Sequence, residues 1–303
     1  MNTLVRNGVR TLRRILGTAD LEQLRPQRVA DGDSAASKVG QLLLAQRYRQ
    51  LQQTGARLPG LEEVEFRAFS QNGEDGILLY IFSLLGTTNR LAVEICAGDG
   101  IQCNSANLVV NHGWHALLFD GDPDRIARGA AFYAKHPDTF SFPPNLVQAW
   151  ITRENVNQLV REQGFVGDID LLSLDLDGID YWVWEALEVI RPRVVVAETQ
   201  CIWGAENAVT VPYNPNFRTE YVNGFGIYSG ASLPAFVTLA GRKGYRFVGV
   251  QRLGFNAFFV RNDLGQDVLP SANPSMSLDK PFVHWAQARF LPLVKTMPWE
   301  QVR

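Results

Sequence analysis

Between residues 91 and 198, short apolar runs alternate with segments of helical period. This alternation restricts the possible folds more than any other feature of the chain. Residues 91–96, 116–120, 146–151, 169–175 and 194–198 read as strands, and residues 104–112, 123–135, 154–163 and 182–190 read as helices. A helix between each pair of strands makes a crossover, and repeated crossovers place the strands parallel in one sheet with helices packed on its faces. The run Val194, Val195, Val196 has no polar alternation, so that strand is expected to be buried on both faces. Beyond a further helix at 232–243, strands at 246–251 and 256–261 are separated only by the turn 252–255. That gap is too short for a crossover and requires antiparallel pairing. The expectation is an α/β fold, doubly wound and mostly parallel, with a C-terminal antiparallel hairpin.

The flanks read differently. Residues 18–60 are polar and loosely helical, with small residues over 31–37 and Gly and Pro over 54–60, which sets the core boundary near residue 60. The expected organisation is a helical N-terminal extension (1–60), a core domain (61–262) and a tail packed on the core (263–303). The tail holds several prolines and too little periodicity for its elements to be assigned. With 46% hydrophobic and 20% charged residues, the chain can bury a sizeable core. Its net charge of -2, with no long basic run over the core, points away from nucleic acid. Cys96, Cys103 and Cys201 are odd in number and lack paired spacing. They fit a reducing compartment better than a disulfide framework or a structural zinc site. With no apolar run of membrane-spanning length and no secretory leader, the expected location is cytoplasmic. Residues 1–17 carry Arg6, Arg10, Arg13 and Arg14 among Leu4, Val5, Val9, Leu12, Ile15 and Leu16. This is an amphipathic helix pattern that suits either packing on the domain or a partner, or peripheral contact with an anionic membrane.

Four groups of residues carry chemistry. The first strand runs into Glu94, Ile95, Cys96, Ala97, Gly98, Asp99 and Gly100, a glycine turn that lets backbone approach a ligand closely. Gly98 and Gly100 resemble the start of a dinucleotide fingerprint, but Cys103 holds the third glycine position, so a cofactor without phosphates fits better. About twenty residues on, the second strand ends in Asp120, Gly121 and Asp122. A carboxylate there can accept both hydrogen bonds of a ribose diol. Asp120 suits that role, whereas Asp122 either shares it or caps the helix that opens at Pro123. Gln148 and Ala149, at the end of the third strand, fall where an adenine edge would lie. Finally, Asp175, Asp177 and Asp180 crowd one turn at the end of the fourth strand, where open α/β sheets bind ligands. Their mutual repulsion requires solvent, hydrogen-bond donors or a cation, and helix capping accounts for one or two of them at most. Trp182 and Trp184 read as helix packing, and His112 and His115 as structural residues.

In order along the chain, Ser70-Gln71-Asn72-Gly73-Glu74-Asp75, Glu94 to Gly100, Asn104-Ser105, the approach from Trp114 to Asp120, and Asp175 to Asp180 resemble the FkbM-like methyltransferase family over residues 66–262. The resemblance implies a class I, Rossmann-like methyltransferase fold. It also implies S-adenosylmethionine as cofactor and methylation of a hydroxyl, commonly on a sugar, glycan or secondary metabolite. On that basis Asp120 holds ribose, Glu94 and Gly98 line the methionine end with Asp99 and Gly100 in the same turn, and Asp175, Asp177 or Glu198 orients or deprotonates the acceptor hydroxyl. The last step is direct or through a divalent cation. The chain departs from the family in carrying Asp177 and Asp180 where glutamates are common, and in a long segment over 199–230. That segment holds Trp203, Tyr213, Phe217, Tyr221, Phe225 and Tyr228, and forms either a mobile lid or an ordered loop on the sheet edge. Two other readings share the glycine turn: a nicotinamide-dependent oxidoreductase, which would want the missing glycine, and a non-catalytic binding module on the same fold.

Overall fold

A computed structural model of the chain describes residues 31–222 and 225–303. The amphipathic pattern of residues 1–17 lies outside them. Two compact units are distinguished, one reaching Gln41 and the other running from Leu42 to Arg303; the first helix described is α1 (Asp31–Gln53).

The larger unit is built on a seven-stranded sheet. In chain order its elements are α2 (Glu74–Leu85), β1 (Leu91–Ile95), α3 (Ala106–His112), β2 (His115–Asp120), α4 (Pro123–Tyr133), β3 (Asn145–Gln148), α5 (Val156–Glu162), β4 (Gly167–Leu174), α6 (Asp180–Ala186) and β5 (Ile190–Glu198). Three short strands follow, β6 (Val209–Thr210), β7 (Glu220–Val222) and β8 (Phe225–Tyr228), then α7 (Leu233–Lys243), β9 (Tyr245–Val250) and β10 (Asn256–Arg261). The chain ends in α8 (Pro274–Ser277), α9 (Pro281–Val294) and β11 (Glu300–Gln301). The sheet order is β3-β2-β1-β4-β5-β10-β9. β1 to β5 pair in parallel, and β10 runs antiparallel to both β5 and β9. The terminal hairpin therefore inserts its second strand beside β5. This is the class I methyltransferase, Rossmann-like topology.

Both faces of the sheet are dry. Val194 and Val196 belong to a core completed by α2 and α3, through Ile77, Ile81, Val109 and Val110, whereas Val195 and Ala197 belong to the opposite core with Val160, Trp184 and Phe236 of α5, α6 and α7. Successive side chains of a strand point to opposite faces, so an unbroken valine run can satisfy two cores.

Several boundaries differ from the sequence reading. The helix expected over 182–190 is Asp180–Ala186, because the backbone is extended from Leu187 and Ile190 already pairs with Gly167, so β5 begins there rather than at Val194. β3 stops at Gln148 rather than at Ile151, and β1 stops at Ile95 because Cys96 turns to φ +63°. The sequence reading assigned no helix to α2, which is buried from Glu74 to Leu84 and so lacks the polar face that produces a helical period. At Gly76 a β-carbon would lie 2.1 Å from the Val64 carbonyl oxygen, so only glycine lets α2 pass that segment. In the tail, α9 has Pro281 in its first turn, where a missing N–H costs nothing, and Phe290 and Val294 enter the core.

Asp122 is the N-cap of α4, accepting from the amides of Asp124 at 2.8 Å and Arg125 at 3.3 Å, with Pro123 at the first helical position. Asp122→Ala should therefore lower the unfolding free energy by about 1 kcal/mol, read from denaturant melts, and leave ligand affinity within about twofold. A large affinity loss would reassign Asp122 to the ligand.

Candidate functional site

The C-terminal ends of β1 to β5 gather the residues singled out above. After Ile95 the chain takes left-handed backbone at Cys96 (φ +63°), Gly98 (+63°) and Gly100 (+70°). Gly98 faces open space, and its N–H donates to Asp120 Oδ2 at 2.9 Å. At Gly100 a β-carbon would meet Leu118 Cδ1 at 2.8 Å. The Asp99 carboxylate accepts from Ile101 N (3.0 Å) and Gln102 N (3.4 Å), which closes the turn locally.

Glu94 is buried, and its two carboxylate oxygens accept the N–H groups of Asn104 (2.9 Å) and Ser105 (2.7 Å) just ahead of α3. Ser173 of β4 donates to the same carboxylate at 3.3 Å, and Asn104 Nδ2 in turn donates to Ser173. Glu94 thus serves the backbone of the turn, and the amides that would face a phosphate in a dinucleotide site are already taken. Cys103 is buried, with its Sγ donating to Gly100 O. These placements put Glu94 behind the turn rather than at its open face.

Asp120 is 6% exposed. Its Oδ2 takes the Gly98 N–H and its Oδ1 the Asp122 N–H at 2.9 Å, and an Arg125 guanidinium nitrogen lies 4.0 Å away. A carboxylate offers about four acceptor positions, so two remain for a ligand. Beside it opens a cleft with about 390 Å³ of empty space, solvent included. Gly121, Ala149, Trp150 and Ile151 line one bank, and Leu176, Gly178 and Ile179 the other, with Cys96 at the base and Pro215 and Phe217 from the 199–230 segment. The lining is mainly apolar, as suits a flat ring system. Gln148 pairs in register with Asp120 but is exposed and outside this lining. Ala149, singled out together with it, and the neighbouring Trp150 do line the cleft.

The acid cluster is composed differently from the sequence run. Asp180 turns inward, accepting Leu176 N at 2.6 Å and Gly178 N at 3.0 Å, and so closes the turn that leads into α6. Glu198, from the end of the adjacent strand β5 and grouped with Asp175 and Asp177 in the sequence reading, stands with them instead: one carboxylate oxygen each from Asp175, Asp177 and Glu198 lies within 4.8 Å of the others. Burial, followed by the charge of Asp177, pushes Asp175 up to about 7. Burial and the charge of Asp175 push Glu198 well above the usual carboxylate range. The cluster therefore retains a proton near neutral pH and can exchange it with a ligand or release it to a cation.

His115 lies at the far end of β2, stacked 4.4 Å from the ring of Phe142 and away from this cleft. Trp182 donates its indole N–H to Val211 O, and Trp184 is buried in the core. The sequence reading missed the apolar lining residues Ile151, Leu176 and Ile179. Their only signal was position just past a strand end.

No protein-family model and no curated protein sequence matches this chain. Solved structures do resemble it. The magnesium protoporphyrin IX methyltransferase of Synechocystis PCC 6803, with bound SAM, is 12% identical over 86% of this chain and 96% of that one, with a TM-score of 0.35. An O-methyltransferase from Bacillus cereus in complex with SAH is 12% identical over 82% and 88%, with a TM-score of 0.38. A glycopeptide N-methyltransferase complexed with S-adenosyl-L-homocysteine is 12% identical over 65% and 91%, with a TM-score of 0.40. At these values the likeness concerns the fold alone, and any chemistry has to be argued from the residues of this chain.

Proposed function

We propose that this chain is an S-adenosylmethionine-dependent methyltransferase that methylates a hydroxyl of a sugar, glycan or secondary metabolite, with FkbM-like kinship. The observation that carries the choice of cofactor is the Glu94 carboxylate on the amides of Asn104 and Ser105. A nicotinamide dinucleotide would bring a pyrophosphate to the start of α3, and a fixed negative charge already occupies those donors. A cofactor with no phosphate meets no such repulsion. The apolar slot beside Asp120 suits an adenine, the two spare acceptor positions of Asp120 suit its ribose diol, and Gly98 leaves room for the methionine end.

When bound, the cofactor supplies a methyl group on a sulfonium that loses its positive charge on transfer. A carboxylate fixed against that sulfur would favour the charged ground state and slow the reaction. Glu94 is turned onto the amides of Asn104 and Ser105, behind the turn, and the other acids sit at the ends of β4 and β5. Asp175, Asp177 and Glu198 are assigned to the acceptor: they hold its hydroxyl in line and take its proton, Asp175 being matched to that task near pH 7. The same three carboxylates offer the hard oxygen ligands that a divalent cation prefers, and a bound cation would polarise the hydroxyl. Alignment supplies most of the rate in either case, since effective molarities of about 10⁵–10⁸ M are available from positioning.

Calorimetric titration with S-adenosylmethionine and S-adenosylhomocysteine, with NAD as the control, tests the reading directly. Saturable binding of the first two and none of NAD is the expected result. Binding of NAD alone would move the chain to the oxidoreductases, and binding of none would reduce it to a scaffold.

A further inference from the structure

Residues 213–221 cross the cleft from one bank to the other. On the β3 bank, Trp150 donates its indole N–H to Pro215 O at 2.7 Å, and the Arg218 guanidinium stacks over the same ring at 4.1 Å. On the β4 bank, Phe217 packs on Gly178, where a β-carbon would lie 2.6 Å from Phe217 Cδ1, so only glycine admits the ring. The segment then meets the acid cluster. Thr219 Oγ1 donates to the Asp177 carbonyl, and Tyr221 OH donates to Asp177 Oδ2 at 3.2 Å. Asp177 itself is held at φ +53°, a conformation that non-glycine residues rarely adopt. Two features make this crossing reversible. Its anchors are mostly side-chain bonds at the surface, with Trp150 51% and Tyr221 57% exposed. The span from Pro215 to Thr219 also lies between strands, and Glu220 and Tyr221 pair within the separate two-stranded β7-β8 ladder, so the seven-stranded sheet stays intact when the segment moves.

We propose that residues 213–221 form a strap that closes over the bound methyl donor and, through Tyr221, fixes Asp177 for the acceptor. The proposal rests on the donor site described above. One segment lines the apolar slot through Pro215 and Phe217 and reaches the acid cluster through Tyr221, so a donor that seats the first end also stabilises the second. Tyr221 is then a positioning residue: it acts on the acceptor only through Asp177.

Limited trypsin digestion of the full chain, read by mass spectrometry at the Arg218–Thr219 bond, tests this with S-adenosylhomocysteine as the probe. Its binding is first verified by calorimetry on the same preparation. Saturating ligand is expected to slow cleavage after Arg218 by about fivefold or more while leaving cleavage after the exposed Arg57 unchanged. Tyr221→Phe, which removes one hydroxyl from an exposed ring, should keep the parent melting temperature, lose at least half of that protection and release the ligand severalfold faster. Equal cleavage with and without verified ligand overturns the strap and leaves the donor site standing. Full protection in Tyr221→Phe overturns the link to Asp177, and absence of calorimetric binding removes the donor site and the strap together.

Discussion

Asp175→Asn should unfold at a higher temperature than the parent protein above pH 7 and at nearly the same temperature near pH 4. In the folded chain the Asp175 carboxyl is raised from 3.8 to about 7, first by burial and then by the Asp177 charge. In the unfolded chain it titrates near its ordinary value. A carboxyl raised on folding binds its proton more tightly in the native state, so stability is lost as pH rises from about 4 to about 7, and the full loss is present above pH 7. Asparagine has the shape of the protonated form and cannot ionise, so the variant escapes that loss. Each pKa unit corresponds to roughly 1.4 kcal/mol. Solvent at the mouth of the cleft reduces the full effect, and a gain of roughly 2–4 kcal/mol is expected at pH 8, or on the order of 3–7 °C for a chain of this size. Thermal melts from pH 4 to pH 8 on both proteins would show a gap that opens with pH. A constant gap, or a less stable variant at pH 8, would sink the account of the cluster as an electrostatically strained site. Lower turnover should accompany the gain, because strain at an active site is retained for function at the expense of stability.

Asp120→Ala is expected to weaken S-adenosylhomocysteine binding by roughly 1.5–3 kcal/mol, about 10- to 150-fold, through loss of the charge-assisted bonds to the ribose diol. The geometry adds a second route to the same outcome, since Asp120 also holds the Gly98 N–H and so keeps the glycine turn open. Asp120→Asn separates the two. It retains an acceptor for the turn while removing the charge, and its affinity should fall between those of the parent and the alanine variant. Unchanged affinity in Asp120→Ala would end the ribose assignment.

The same residues show where reading from the sequence stops. The ladder of crossovers, the valine strand buried on both faces and the hairpin beside it are all legible, because strand and helix periods and turn lengths are local properties. The Asp122 cap was legible as one of two alternatives, since Asp followed by Pro is itself a local signal. Asp180 was not. Read along the chain it is the third member of an acidic turn, and only the folded loop points it at the amides of Leu176 and Gly178. α2 escaped for the opposite reason, because a helix enclosed on every side carries no polar stripe to give it a period.

What the sequence by itself determined is therefore the order and kind of the elements, together with the set of acids and glycines that end them. What only the tertiary structure decided is which of these groups meet. The sequence reading could name Glu198 beside Asp175 and Asp177, but their carboxylates lie together across 21 residues of chain because β5 lies beside β4. Glu94 is spent on the start of α3, and residues 213–221 lie across the slot because Gly178 leaves room for Phe217. These meetings are set by strand order and by the requirement that each buried polar group find a partner, and neither is contained in any short stretch of the chain.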